Sequence, residues 1–223
     1  MKLVNAELFL NIDIEENTPT VLAIENPKVL TSVVSQLYGM CNSGEGDFIL
    51  SEDGKQLSIE RTAEIIINPF QIDFNSRKIQ SKLYSELLDA EVFYSEDKAL
   101  IQTLIIEYLD KLTQNVPYEM ITNELDMDSM KLLKMFEVRI EPQCNSLLEK
   151  LVEYTKLLAR LLKKGLLVFI NISNYLGTEE LNALFEICNY NKIKVLLIEH
   201  YELCLPFHVK TYIIDKDKCM IMK

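Results

Sequence analysis

Two strand-sized apolar runs constrain this chain more than any other feature. They are Leu166-Leu167-Val168-Phe169-Ile170 and Lys194-Val195-Leu196-Leu197-Ile198. Between them lies a segment that reads as a helix, capped at Thr178-Glu179-Glu180 and running to about Asn189. Parallel strands need a crossover of roughly a dozen residues, which a helix supplies. Strand, helix and strand in this order read as a right-handed βαβ unit of a parallel sheet. No apolar run approaches the ~18–20 residues that cross a bilayer, so no membrane partner is expected. The start, Met1-Lys2-Leu3-Val4-Asn5-Ala6-Glu7, lacks the basic opening and long apolar core of a signal peptide. The expectation is a cytoplasmic protein.

The rest of the chain extends this sheet and then departs from it. Residues 20–24 read as a short buried strand, and Asn26-Pro27 starts a helix, with Asn as cap and Pro in the first turn. Gly39 is expected to stop that helix near Tyr38. Asp47–Leu50 and the run after Asp53-Gly54 suggest a hairpin, and Glu64-Ile65-Ile66-Ile67 a strand stopped by Asn68-Pro69. After Asp73 the pattern turns helical. Asn75-Ser76 can cap one helix, and Ser95-Glu96-Asp97 opens another. The second carries Leu100, Ile101, Leu104, Ile105, Tyr108, Leu109 and Leu112, a stripe broad enough to need a partner. A short helix from Asp128 or Ser129 to Phe136 closes the region. Residues 145–164 form an amphipathic helix ended by Gly165, and Thr211–Ile214 with Cys219–Met222 a closing hairpin. The fold class is therefore α/β: a parallel-sheet domain from residues 1–69 and 139–223, with a helical domain, 70–138, inserted.

Chemistry is sparse. The chain has 223 residues, 48% of them apolar and 26% charged, so it buries a core without disulfides. Its five cysteines include no CxxC and read as free, mostly buried thiols, not a disulfide framework or zinc site. Gly39 and Gly44 have the spacing of a phosphate-binding loop, but Glu45 stands where the lysine belongs and would repel a phosphate. His200, at the expected carboxyl end of a strand, has no readable nucleophile. Nothing points to an enzyme or to a small-molecule substrate. Acids gather between Glu119 and Asp128, where Glu119, Glu124, Asp126 and Asp128 offer the oxygens that a hard cation such as calcium takes. Solvated acids capping a helix give the same pattern. The net charge of −11 argues against nucleic acid on average, yet cations cluster. Arg77, Lys78 and Lys82 open the first inserted helix, Lys131, Lys134 and Arg139 lie at the end of the insert, and Lys156, Arg160, Lys163 and Lys164 share a face of the helix before Gly165. Gathered on one surface they could track a phosphate backbone; a plain solvated face is the alternative. Aromatic interleaving is poor, which favours a duplex over a single strand.

Several segments, in collinear order over nearly the whole chain, resemble the Csn-two family of type II-A CRISPR spacer-acquisition proteins. They are Asp73-Phe74-Asn75-Ser76 with Lys82-Leu83, Asn123-Glu124-Leu125-Asp126, Val138-Arg139-Ile140-Glu141 and Lys163-Lys164-Gly165-Leu166-Leu167-Val168-Phe169-Ile170-Asn171. The resemblance implies an α/β head, like a P-loop NTPase without its motif, and a helical leg. It implies a homotetramer that closes as a ring on double-stranded DNA, binds ends and slides without sequence preference. It implies calcium as cofactor, and as partners the CRISPR adaptation integrase complex and the RNA-guided effector nuclease. By position it assigns DNA contact to Lys82, Lys134, Arg139, Lys163 and Lys164, and calcium to Glu119, Glu124, Asp126 and Asp128. Thr122, Ser129 and Met130 stand where relatives carry further acids, which weakens the calcium set. The rival readings are a protein-interaction scaffold and a degenerate nucleotide-binding ATPase.

Overall fold

The computed structural model describes residues 1–118, 120–124 and 126–223. The chain divides into two compact units, one of Met1–Asp73 with Pro142–Lys223 and one of Phe74–Glu141.

The first unit holds two sheets. Strands β1 (Lys2–Asn5), β2 (Leu10–Asp13), β4 (Ile49–Glu52) and β5 (Lys55–Leu57) form an antiparallel sheet ordered β2-β1-β4-β5. Strands β3 (Thr20–Ile24), β6 (Ala63–Ile66), β7 (Leu166–Ile170), β8 (Lys194–Glu199) and β9 (Lys210–Ile214) run parallel, and β10 (Met220–Met222) pairs antiparallel with β9. The spatial order is β10-β9-β3-β8-β7-β6. Leu166 pairs with Lys194 and Ile170 with Ile198 across the expected βαβ unit. All five residues of β3 and of β7 are buried, the mark of strands covered on both faces.

Helices follow the expected starts more closely than the expected ends. Helix α1 (Pro27–Asn42) is capped by Asn26, whose Oδ1 accepts from the Lys28 and Val29 amides at 3.0 and 3.3 Å. It runs through Gly39, contrary to the expected stop. Gly39 is instead a point of close approach, since a Cβ there would lie 2.6 Å from the Glu45 carbonyl. The glycine pair with phosphate-loop spacing thus belongs to a helix C-terminus. A four-residue turn, α2 (Ile59–Thr62), precedes β6. In the insert come α3 (Arg77–Ala90), α4 (Ser95–Thr113) and α5 (Ser129–Met135). Helix α6 (Leu147–Leu157) continues into a π-helical turn, Leu158–Leu162, and ends at Lys163 in a left-handed conformation, two residues before the expected glycine. Helix α7 (Thr178–Tyr190) is capped one residue before the expected Thr178: Gly177 is the cap residue, and Glu180 Oε2 accepts from its amide at 2.9 Å.

Both sheets contribute to one core, with Leu3, Leu10, Ile12 and Leu50 clustered with Leu22, Leu166, Val168 and Leu196. Lysines at the starts of β8 and β9 fasten the sheets at their rims. Lys194 meets Glu52 at 2.9 Å and Lys210 meets Glu15 at 2.7 Å. Tyr212 Oη accepts from the Asp13 amide at 3.0 Å. The thiols are less buried than expected: Cys41 and Cys188 are buried, Cys204 and Cys219 exposed.

The second unit is helical. Ile79 and Tyr84 of α3 are buried, but no residue of α4 is. The apolar stripe expected there lies open, with Leu100, Leu104 and Tyr108 about 60% exposed. No helix among the described residues is long and apolar enough to cross a membrane.

Candidate nucleic-acid interface

Charge in the second unit is segregated along the chain. Residues 77–82 hold Arg77, Lys78 and Lys82 and no acid, whereas 83–127 is strongly acidic, with Lys98 and Lys111 its cations. The fold then brings the two basic segments together. Helices α3 and α5 pack against each other. Asn75 holds the chain after α5 by two hydrogen bonds: its Nδ2 donates to the Ile140 carbonyl at 2.8 Å, and its Oδ1 accepts from the Ile140 amide at 2.9 Å. Arg139 is thereby fixed beside the start of α3, where Arg77 and Lys78 occupy the first turn. Arg77, Lys78, Lys82, Lys134 and Arg139 are all exposed.

The start of α3 favours anions on two counts. Its first turn contains no acid, and the Ser76 side chain makes no capping bond. The helix dipole already makes this end positive, and two cations add to it. Arg139 lies 3.2 Å from Glu141, an exposed pair that contributes little and that a phosphate can displace.

Lys163 and Lys164, adjacent in sequence, part company in the structure. Lys163 is exposed, but Lys164 is only 6% exposed. Its Nζ donates to the Glu60 and Ala63 carbonyls, both at 2.6 Å, and pairs with Glu64 at 3.4 Å. The expectation that Lys164 meets phosphate is corrected on this geometry: the ammonium is turned inward and its donors are occupied. Of the other cations on that helix, Lys156 is paired with Glu153 at 2.7 Å and Arg160 is exposed.

The acidic segment does not assemble a cation cage among the described residues. Glu119 lies outside them. Glu124, Asp126 and Asp128 are exposed. Asp128 acts as a helix cap, accepting from the Lys131 amide at 3.1 Å, and its carboxylate lies 3.8 Å from the Lys131 ammonium. Among the described residues no three His, Cys, Asp or Glu side chains come together where a metal ion could be held. Ser129 donates to Glu91, which also accepts from Lys98 at 2.9 Å. Those two bonds, Ser129 first, hold the Glu91 carboxyl below the ordinary carboxylate range.

One polar cluster escaped the sequence reading. Glu199, the last residue of β8, is fully buried. Ser173 donates to it twice, from Oγ at 2.6 Å and from the amide at 3.2 Å, and the same hydroxyl lies 3.1 Å from Tyr201 Oη. Burial pushes this carboxyl up despite those bonds. The exposed His200 Nδ1 lies 3.2 Å from Asn171 Oδ1. A carboxylate after four apolar residues at a strand end is a signal that sequence reading could have used.

A mixed α/β protein with a basic helical surface is the class this structure defines. Residues 41–218 match the family model of CRISPR-associated protein (Cas_Csn2), and the chain belongs to the Csn2 family. It is 29% identical over 208 residues to CRISPR-associated protein Csn2 of Streptococcus agalactiae, covering 91% of this chain and 90% of that one. It is 26% identical over 210 residues to CRISPR-associated protein Csn2 of Enterococcus faecalis, covering 92% and 91%. A crystal structure of Stu0660 of Streptococcus thermophilus shares the fold, with a TM-score of 0.60 over 96% of this chain and 75% of that one, at 14% identity.

Proposed function

We propose that this chain binds double-stranded DNA without sequence preference, as a homotetrameric ring, in CRISPR spacer acquisition. It is not an enzyme in this reading. The observation that carries it is the clustering of exposed Arg77, Lys78, Lys82, Lys134 and Arg139 through α3–α5 packing and the Asn75–Ile140 clamp, on a chain of a CRISPR-associated family. The mechanism is electrostatic. Cations replace the counterions condensed on the phosphates, and their release drives association without reading bases. A closed ring then retains the duplex by topology and lets it slide from an end. The first unit is the head and the second the leg; the head is P-loop-like in plan but lacks the phosphate-binding lysine. The acidic remainder of the surface keeps non-specific contact outside the ring low. The integrase complex and the effector nuclease are its proposed partners.

The open face of α4 supports assembly, because Leu100, Leu104 and Tyr108 are costly to leave in water. The same face favours a second reading, a protein-interaction scaffold whose cations are merely solvated. Calcium remains a proposed effect on assembly, and no step of DNA capture passes through it. Native mass with and without a chelator reads that effect: a mass that never exceeds the protomer overturns the ring. Gel shifts with unrelated linear duplexes test the DNA reading. We expect comparable affinity for each duplex and a steep fall with salt; absence of a shift at low salt with calcium present overturns it.

A further inference from the structure

Lysine 164 is placed where a DNA contact is expected and used for something else. The π-helical turn Leu158–Leu162 closes with Lys163 at φ 54°, and both the Lys163 and Lys164 amides donate to the Leu158 carbonyl. A lysine enters the left-handed region only at a cost, so the surroundings must hold it there. The Lys164 ammonium bonds the Glu60 and Ala63 carbonyls at the α2–β6 junction, and Glu64 neutralises it. The next amide, Gly165, donates to the Thr62 carbonyl at 2.8 Å. Glu64 lies on β6, the edge strand of the six-stranded sheet, and β7 begins at Leu166.

We propose that Lys164 is a positioning residue, a clip that ties the edge strand β6 and the end of α2 to the turn before β7, and that Lys163 alone of the pair meets phosphate. The inference deepens the DNA-binding reading and rests on it for the role of Lys163. The two lysines therefore answer differently to mutation. Lys163→Gly removes a charge and suits the left-handed conformation, so its Tm should equal or exceed that of the parent protein. Its plot of log affinity against log salt should be shallower by about 0.9 or more, the change expected for one lost phosphate contact. Lys164→Met should melt several degrees lower, yet keep the parental salt slope when assayed well below its melting point.

Two results overturn the proposal. One is a Lys164→Met protein that melts like the parent and loses slope as Lys163→Gly should; the other is a Lys163→Gly protein with an unchanged slope. Should Lys164→Met fail to fold, Glu64→Gln removes only the 3.4 Å ion pair. We then expect a lower Tm and an unchanged slope; an unchanged Tm rejects the clip. If the parent binds no duplex at any salt, the role of Lys163 falls with the DNA reading, while the melting temperatures still judge Lys164.

Discussion

The two units use the same side chains in opposite ways. In the first, three lysines are drawn inward: Lys164 into the end of α2, Lys194 onto Glu52 and Lys210 onto Glu15. Leucines fill a core in which Leu151, Leu158, Leu167 and Leu184 are fully buried. In the second, Lys82, Lys134 and Arg139 face solvent, and Leu100, Leu104 and Leu112 of α4 do too. A unit with two sheets and covering helices can bury its apolar residues against itself. A few helices with one broad stripe cannot, and what they expose is available to something else. Stability is therefore concentrated in the first unit, and the proposed recognition and assembly mostly in the second.

Truncating one large apolar side chain in each unit is the harshest way to break that contrast. Phe169→Ala, at a fully buried position of β7, should cost about 3–5 kcal/mol in urea unfolding. Leu104→Ser on the open face of α4 should shift folding by no more than about 0.5 kcal/mol, yet lower the native mass at equal concentration. If both leave mass intact and both unfold alike, the units are not partitioned as described. Charge reversal comes next in size. Lys134→Glu with Arg139→Glu should weaken duplex binding by roughly ten- to a hundredfold at moderate salt, about 1.4–2.7 kcal/mol, and reduce the salt slope by about two. The far-ultraviolet circular dichroism should not change. A double variant that binds DNA normally but loses protein partners favours the scaffold. A smaller effect separates inward from outward lysines. Lys194→Met removes a mostly buried partner of Glu52 and should cost about 1 kcal/mol. Lys131→Met, exposed and 3.8 Å from Asp128, should be nearly neutral.

The contrast was only half visible in the sequence. Continuous apolar runs disclose strands buried on both faces, so β3, β7, β8 and the crossover α7 were legible. Strands β1 and β2 were missed, although Leu10, Ile12 and Ile14 alternate with Asn11 and Asp13 at the two-residue period of a half-buried strand. Gly39 misled because a glycine required for close approach looks like one required for a turn; the carbonyl it must admit, Glu45, lies six residues on. The basic segments of the second unit were readable one by one, but their meeting was not. It depends on Asn75 reaching Ile140, 65 residues away. Lys163 and Lys164 were inseparable in sequence because helical periodicity assumes a regular helix, and a π-helical turn with a left-handed end rotates the second lysine inward.

The least effect, and the most diagnostic of the first unit, belongs to Glu199. Its carboxyl is raised above the ordinary value of about 4.3, chiefly by burial, while the Ser173 hydroxyl and amide and the His200 charge pull the other way. An acid with a raised folded pKa binds its proton more tightly in the native state. Its stabilisation is complete below the unfolded value and is lost as pH rises through the folded one. Glu52 and Glu15, lowered by Lys194 and Lys210, have the reverse dependence, with stability lost as pH falls. The raw pH profile mixes these signs, but the difference between the parent and Glu199→Gln isolates one of them. Glutamine can still accept from the Ser173 amide, and its own amide can donate to Ser173 Oγ as that hydroxyl turns to Tyr201. The variant should therefore fold, and its advantage over the parent should grow as pH rises from the ordinary carboxylate range toward neutrality. The same comparison at Glu91, a half-buried carboxylate of the second unit held down by Ser129 and Lys98, should run the other way. Glu91→Gln should lose its small disadvantage as pH falls. Parallel trends at the two sites would mean that burial does not distinguish the units.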